Sequence, residues 1–179
     1  MRTSDWRVGL LSEIRSDRNH WVGSLGPVLV LFWLSEIEPG VCRQLPAIAR
    51  TLCDGQPDRS IAVLSIAGAA TRPPSPEARA AIANLVHYSD ANVTRVAVVR
   101  EGGGFVTSTV LSIVTGIRLL AKPHSPHLFF TDLDEALRWV SHGFDAGRVD
   151  VDELRAAIDE RRRELVSPRS PQASQTARA

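Results

Sequence analysis

Val28-Leu29-Val30-Leu31-Phe32-Trp33-Leu34, preceded by Gly26-Pro27, is the longest apolar stretch of the chain, and its reading decides the fold. A continuous run of this kind, with β-branched and aromatic members, reads as a strand buried on both faces. It is far shorter than the roughly 20 residues that a membrane-spanning helix needs. Upstream, residues 6–14 (WRVGLLSEI) and 20–24 (HWVGS) are short and half apolar, which predicts strands at a sheet edge.

Downstream, strand and helix patterns alternate. Glu38-Pro39-Gly40 opens a helix in which Val41, Leu45, Ile48, Ala49 and Leu52 recur at helical spacing, and Asp54-Gly55-Gln56-Pro57 stops it. Ser60 to Ile66 is a second buried strand. Thr71-Arg72-Pro73-Pro74 is a loop stiffened by proline, with Ser75 as N-cap and Pro76 at the first helical position. Ile82, Leu85 and Val86 give that helix its inner face. Val93 to Val99 is a third strand, and Glu101-Gly102-Gly103-Gly104 leads into a helix from about Phe105 to Ala121. His127 to Phe130 is a short last strand. Thr131 then caps a helix that carries Leu133, Ala136, Leu137, Trp139 and Val140 and closes at Gly143.

Such alternation specifies an α/β layer fold: a mixed, mostly parallel sheet with four core helices. An appended C-terminal helix follows, with Asp150 and Glu153 as a capping pair and a thin stripe of Leu154, Ile158 and Leu165. Residues 167–179 have little to bury and are expected to be disordered. The organisation expected is therefore a lead over 1–19 with an edge strand, a domain over 20–143, the appended helix over 144–166, and the tail.

The chain has 179 residues, 44% of them hydrophobic and 23% charged, which fits one globular domain. Its net charge of +1 offers no electrostatic footprint for nucleic acid. Nearly all the positive charge is arginine, Lys122 being the lone lysine; with abundant Ala and Val this points to a GC-rich bacterial genome. No apolar segment followed by a cleavage site opens the chain, so a cytoplasmic location is expected. Cys42 and Cys53 fall on nearly one helix face but about 16 Å apart along its axis, too far for a disulfide. They read as buried free thiols.

No residue set announces a reaction. Glu101-Gly102-Gly103-Gly104 could offer backbone N–H groups to an anion at a helix start, yet it lacks a GxGxxG or a Gly-Lys-Ser/Thr pattern. His124 and His127 are close in sequence, but Pro126 and the strand entry keep them from one metal; His20, His87 and His142 are scattered. No serine sits in a G-x-S-x-G elbow. Asp132 and Asp134 read as helix-start carboxylates, and Arg161-Arg162-Arg163 as a solvated helix face. No enzyme, metal or cofactor is expected.

The strands VLVLFWLSEI, SIAVLSIAG and VTRVAVV, and the close HLFFTDLDEALRWV, resemble the STAS domain family, the fold of bacterial anti-sigma factor antagonists. Within it they are nearest the divergent branch grouped with CRAL-TRIO lipid carriers. The close, through Phe130, Asp132, Glu135, Ala136, Leu137, Trp139 and Val140, is similar to the family's F-x-D/S-x-x-E-A-L-x-W-L ending. The resemblance spans roughly residues 20–142. It implies a non-catalytic regulatory or protein-binding module with a protein partner; the alternative is a carrier or sensor of a small apolar or anionic ligand. Regulatory members carry Asp-Ser-Ser-Gly after the second buried strand, its first serine being the phosphoacceptor. Here Pro73-Pro74-Ser75-Pro76 stands there, with Pro74 at the acceptor position. The usual phosphoserine switch is therefore not expected.

In α/β sheets ligands and partners gather beyond the carboxyl ends of the parallel strands. The expected recognition rim is thus Arg72 and Ser75 on one loop and Arg100, Gly102, Gly103 and Gly104 on its neighbour. The second surface to consider is the stripe of Leu154, Ile158 and Leu165.

Overall fold

The computed structural model describes residues 11–87, 92–102 and 125–166. The helix expected over 105–121, Gly103, Gly104, His124 and the tail lie outside them. The described elements are β1 (Ser12–Ser16), β2 (His20–Leu25), β3 (Val28–Trp33), α1 (Pro39–Asp54), β4 (Ile61–Ala67), α2 (Pro76–His87), β5 (Val93–Arg100), β6 (His127–Phe130), α3 (Leu133–Ser141) and α4 (Val151–Val166). They build a six-stranded sheet in sequential order, β1-β2-β3-β4-β5-β6. β1, β2 and β3 are antiparallel, and β3 to β6 run parallel. The fold is α/β with a mixed, mostly parallel sheet, as the alternation of patterns requires.

Two tight turns set the register of the antiparallel part. Gly26 has φ +53, the left-handed value that opens a two-residue hairpin loop, and Pro27 follows. From that turn Leu25 pairs with Val28, and the ladder continues outward until His20 faces Trp33. Between β1 and β2 the Asp17 amide donates to the His20 carbonyl, and Asp17 Oδ1 accepts from the amides of Asn19 and His20. β1 covers residues 12–16 and so overlaps the end of the segment expected at 6–14, whose residues 6–10 lie outside the described residues.

β3 is buried along its whole length because both faces are covered. Val28, Val30 and Phe32 join Trp21, Ala62, Leu64, Ile66, Ala97 and Val99 beneath α3 and α4. Leu29, Leu31 and Trp33 join Val22, Ile61 and Val93 beneath α1 and α2. The period of two along a strand sorts alternate residues to opposite layers. Cys42 and Cys53 belong to the second layer as buried thiols that are not joined in a disulfide. Burial pushes the Cys42 thiol up to about 11, so it is inert at neutral pH.

The caps of α3 and α4 differ in how closely they match the sequence pattern. The N-cap of α3 is Asp132, whose carboxylate accepts from the Glu135 amide at 2.9 Å; Thr131 does not fill that position. At α4, Asp150 Oδ1 accepts from the Asp152 and Glu153 amides.

Helix α4 is a layer of the domain rather than an appendage. Leu154 and Ile158 are fully buried and Ala157 nearly so, in the same cluster as the sheet. They are therefore unavailable as a docking surface. Of the three arginines read as a solvated face, Arg163 is exposed, whereas Arg161 and Arg162 are only partly so. The Arg161 guanidinium lies 4.8 Å from the Trp21 ring centroid and pairs with Glu164 at 2.7 Å. Arg162 pairs with Glu101 and Asp159. Their head groups thus find partners within the domain.

Candidate functional site

The carboxyl ends of the parallel strands lie level. Trp33 of β3 is in register with Ala67 of β4, and Ala67 with Arg100 of β5. The loop from Gly68 to Ser75 leaves this rim and is tied down along its length. Thr71, buried, donates its hydroxyl to the Trp33 carbonyl at 2.6 Å, and the Arg72 amide donates to the Ser35 carbonyl at 2.8 Å. Arg100 donates to the Gly68 and Ala69 carbonyls at 2.5 and 3.2 Å. The Glu101 amide donates to the Ala67 carbonyl. The neighbouring turn at Gly102 needs glycine twice over. Its φ is +89, and a Cβ there would sit 2.9 Å from Ala69 Cβ.

The two loops expected to be neighbours are therefore in contact. Of the residues read as the rim, Arg72 and Ser75 are exposed, and so is Gly102. Arg100 corrects the expectation: it is 8% exposed, and its guanidinium is used as a brace on two carbonyls rather than offered as an anchor. A buried arginine stays where its donors are satisfied. Ser75 is the N-cap of α2, its hydroxyl accepting from the Ala78 amide at 3.1 Å. Serine suits this place because its oxygen satisfies a helix-start N–H that has no intrahelical partner. Ser75→Ala is expected to cost about 1 kcal/mol, read by urea denaturation, with the native far-ultraviolet circular dichroism unchanged. A loss below 0.3 kcal/mol, on the order of the error in such measurements, would mean that the cap is dispensable.

A second cluster adjoins this rim, and sequence reasoning missed it. Asp17 and His20 close the β1–β2 turn, and Glu38 precedes α1. Their potential ligand atoms, Asp17 Oδ1, His20 Nδ1 and Glu38 Oε1, all lie within 4.8 Å of one another. His20 Nδ1 is 3.0 Å from Asp17 Oδ1 and 3.8 Å from Glu38 Oε1. Asn19 binds the cluster to the β3–α1 loop: its side-chain amide donates to Glu38 Oε1 at 2.7 Å and its Oδ1 accepts from the Ser35 hydroxyl at 2.8 Å. Burial pushes the Asp17 carboxyl up, but hydrogen bonds from the Asn19 and His20 amides and the charges of His20 and Arg15 outweigh it. The result is a pKa below the ordinary carboxylate value. His20 is completely buried with its ring 6.1 Å from that of Trp33, and neither ring nitrogen completes a hydrogen bond.

A signal for this cluster was available. Counting outward from Gly26-Pro27, the hairpin register puts His20 opposite Trp33. That brings the Asp-x-x-His turn to the same end of the sheet as Glu38. The other paired carboxylates have structural partners: Asp132 caps α3, and Asp134 pairs with Arg155 of α4.

No family model matches the chain, and no curated protein sequence matches it. Among solved structures it is similar to an uncharacterized protein of the DUF3478 family with a SpoIIAA-like fold from Shewanella loihica. The identity is 14% and the TM-score 0.42, over 78% of this chain and 99% of that one. The fold assignment itself rests on the sheet order and the two helical layers above.

Proposed function

We propose that this domain is a non-catalytic regulatory module that binds a protein partner, in the manner of STAS domains, and that its recognition surface is the rim around Arg72 and Ser75. A bacterial cytoplasmic setting belongs to the same proposal. The observation that carries it is the preorganised loop at the carboxyl edge. It is bound to β3, to the β3–α1 loop and to β5 through Thr71, Arg72 and Arg100, while the Arg72 and Pro73 side chains face solvent. A loop already ordered loses little entropy on binding, so its exposed side chains can contribute their full interaction. Ser75 acts as a cap, and Pro74 occupies the acceptor position of the resembled motif, so recognition here does not depend on a phosphoserine switch.

The experiment is affinity capture from native cell extract, with mass spectrometry of both bound proteins and extracted small molecules, repeated with Arg72→Glu. The charge reversal lies on an exposed side chain and is expected to leave stability within about 0.5 kcal/mol. Binding of the captured partner is expected to weaken at least tenfold. Ser75→Ala is expected to leave binding at saturating protein unchanged. Undiminished binding by Arg72→Glu would move the site away from this rim. Stoichiometric phosphate on Ser75, with binding abolished by Ser75→Asp, would restore the family switch. A small molecule in place of a protein would favour the carrier reading.

A further inference from the structure

We infer that Asp17, His20 and Glu38 form a binding site for a divalent transition-metal ion of the zinc class. Three observations converge. The first is the donor set and its spacing. Ligand atoms bound about 2.0–2.1 Å from a four-coordinate ion lie roughly 3.3 Å from one another. The His20 Nδ1 distances to Asp17 Oδ1 and Glu38 Oε1, 3.0 and 3.8 Å, bracket that separation.

The second is the state of His20. It is wholly buried, yet neither ring nitrogen completes a hydrogen bond. Nδ1 comes within 3.0 Å of Asp17 Oδ1, but the approach is misaligned for an N–H···O bond. A proton on Nδ1 would be drawn onto the line to that oxygen. A cation held between the imidazole and the two carboxylates accounts for the ring's position instead. Coordination through Nδ1 leaves the ring proton on Nε2.

The third is how the carboxylates are presented. Asp17 Oδ1 is fixed by the amides of Asn19 and His20, and Glu38 Oε1 by the Asn19 side chain. Ligands oriented by such outer donors lose little freedom when an ion binds. Asp17 and Glu38 remain 39% and 27% exposed, so an ion can enter from solvent and water can complete its shell. One imidazole with two carboxylates selects zinc-class ions over magnesium and calcium, which take oxygen ligands. A bound ion would join the β1–β2 turn to the β3–α1 loop, whose Ser35 carbonyl holds the Arg72 amide. The inference stands whether or not the rim binds a protein.

The test uses the full chain, stripped with a chelator and titrated with Zn²⁺ by isothermal calorimetry, with Co²⁺ absorption as a second reading of the ligand set. One ion per chain is expected, with a raised melting temperature and no displacement by excess Mg²⁺. Glu38→Gln and Asp17→Asn are each expected to weaken Zn²⁺ binding at least tenfold while keeping the native circular dichroism. Replacing His20, buried in the sheet, can cost the fold, so the two carboxylate variants decide the matter. No saturable Zn²⁺ binding would overturn the inference. So would binding that both variants leave within twofold, which would assign the ion to other side chains.

Discussion

Leu154→Ala combined with Ile158→Ala is expected to remove most of the stability of this domain. Each side chain is fully buried against the sheet, and truncating a buried leucine or isoleucine costs about 2–5 kcal/mol through lost transfer energy and the cavity left behind. The pair lies one helical turn apart, so the two losses share a cavity and do not add strictly. A combined cost of about 4–8 kcal/mol still rivals the 5–15 kcal/mol that holds typical domains together. Removing α4 altogether costs more. It uncovers the face of Trp21 beneath Arg161 and breaks the pairs Arg162–Glu101 and Arg155–Asp134. Equilibrium denaturation of the double variant and of a chain ending at Asp150 measures both effects. If the shortened chain melts within a few degrees of the parent, α4 is an appendage and residues 20–143 stand alone.

That contrast shows where sequence reasoning reaches and where it stops. The strands at 61–67, 93–100 and 127–130 were legible because buried parallel strands read as short apolar runs between turns. The helix at 151–166 was legible as a helix, from its cap and its spacing. Its membership of the core was not. Leu154 and Ile158 make a thin stripe, and what thickens it is Ala157 from its own helix and the guanidinium of Arg161 over Trp21. Alanine and arginine do not count as core residues in a hydrophobic pattern, yet both cover apolar surface.

The same limit applies to the candidate sites. Ser75 as a cap follows from local chemistry, Ser-Pro at a helix start, and the structure bears it out. Arg100 was misread because its role depends on a loop some thirty residues away: only the parallel register of β4 and β5 puts the Gly68 and Ala69 carbonyls within its reach. Asp17, His20 and Glu38 are likewise joined by the β2–β3 register. For Arg100 that information lies in the pairing of strands far apart in sequence, and for the cluster it lies in the hairpin register counted outward from Gly26-Pro27, which no short motif displays.

Gly23→Ala is expected to be the most damaging small substitution in the sheet, at about 2–4 kcal/mol, above the usual range for overpacking because rigid groups stand in the way. Gly23 is buried in β2, two residues from Trp21 on the same face. A Cβ at this position would fall inside the ring atoms Cη2 and Cζ2 of Trp21 and 2.5 Å from the Ser12 carbonyl oxygen. The ring cannot step aside cheaply. Its Nε1 donates to Glu13 at 2.8 Å, the Phe32 ring packs on it edge-on at 5.8 Å, and Arg161 covers it. Displacing the ring therefore disturbs the hairpin and the seat of α4 together. A double-mutant cycle with Trp21→Leu assigns the cost. Removing the indole is expected to recover part of the Gly23→Ala loss, because the obstruction is shared between the ring and the Ser12 carbonyl. If Gly23→Ala costs the same with and without the indole, the ring is not the obstacle and the β1 backbone alone requires glycine here.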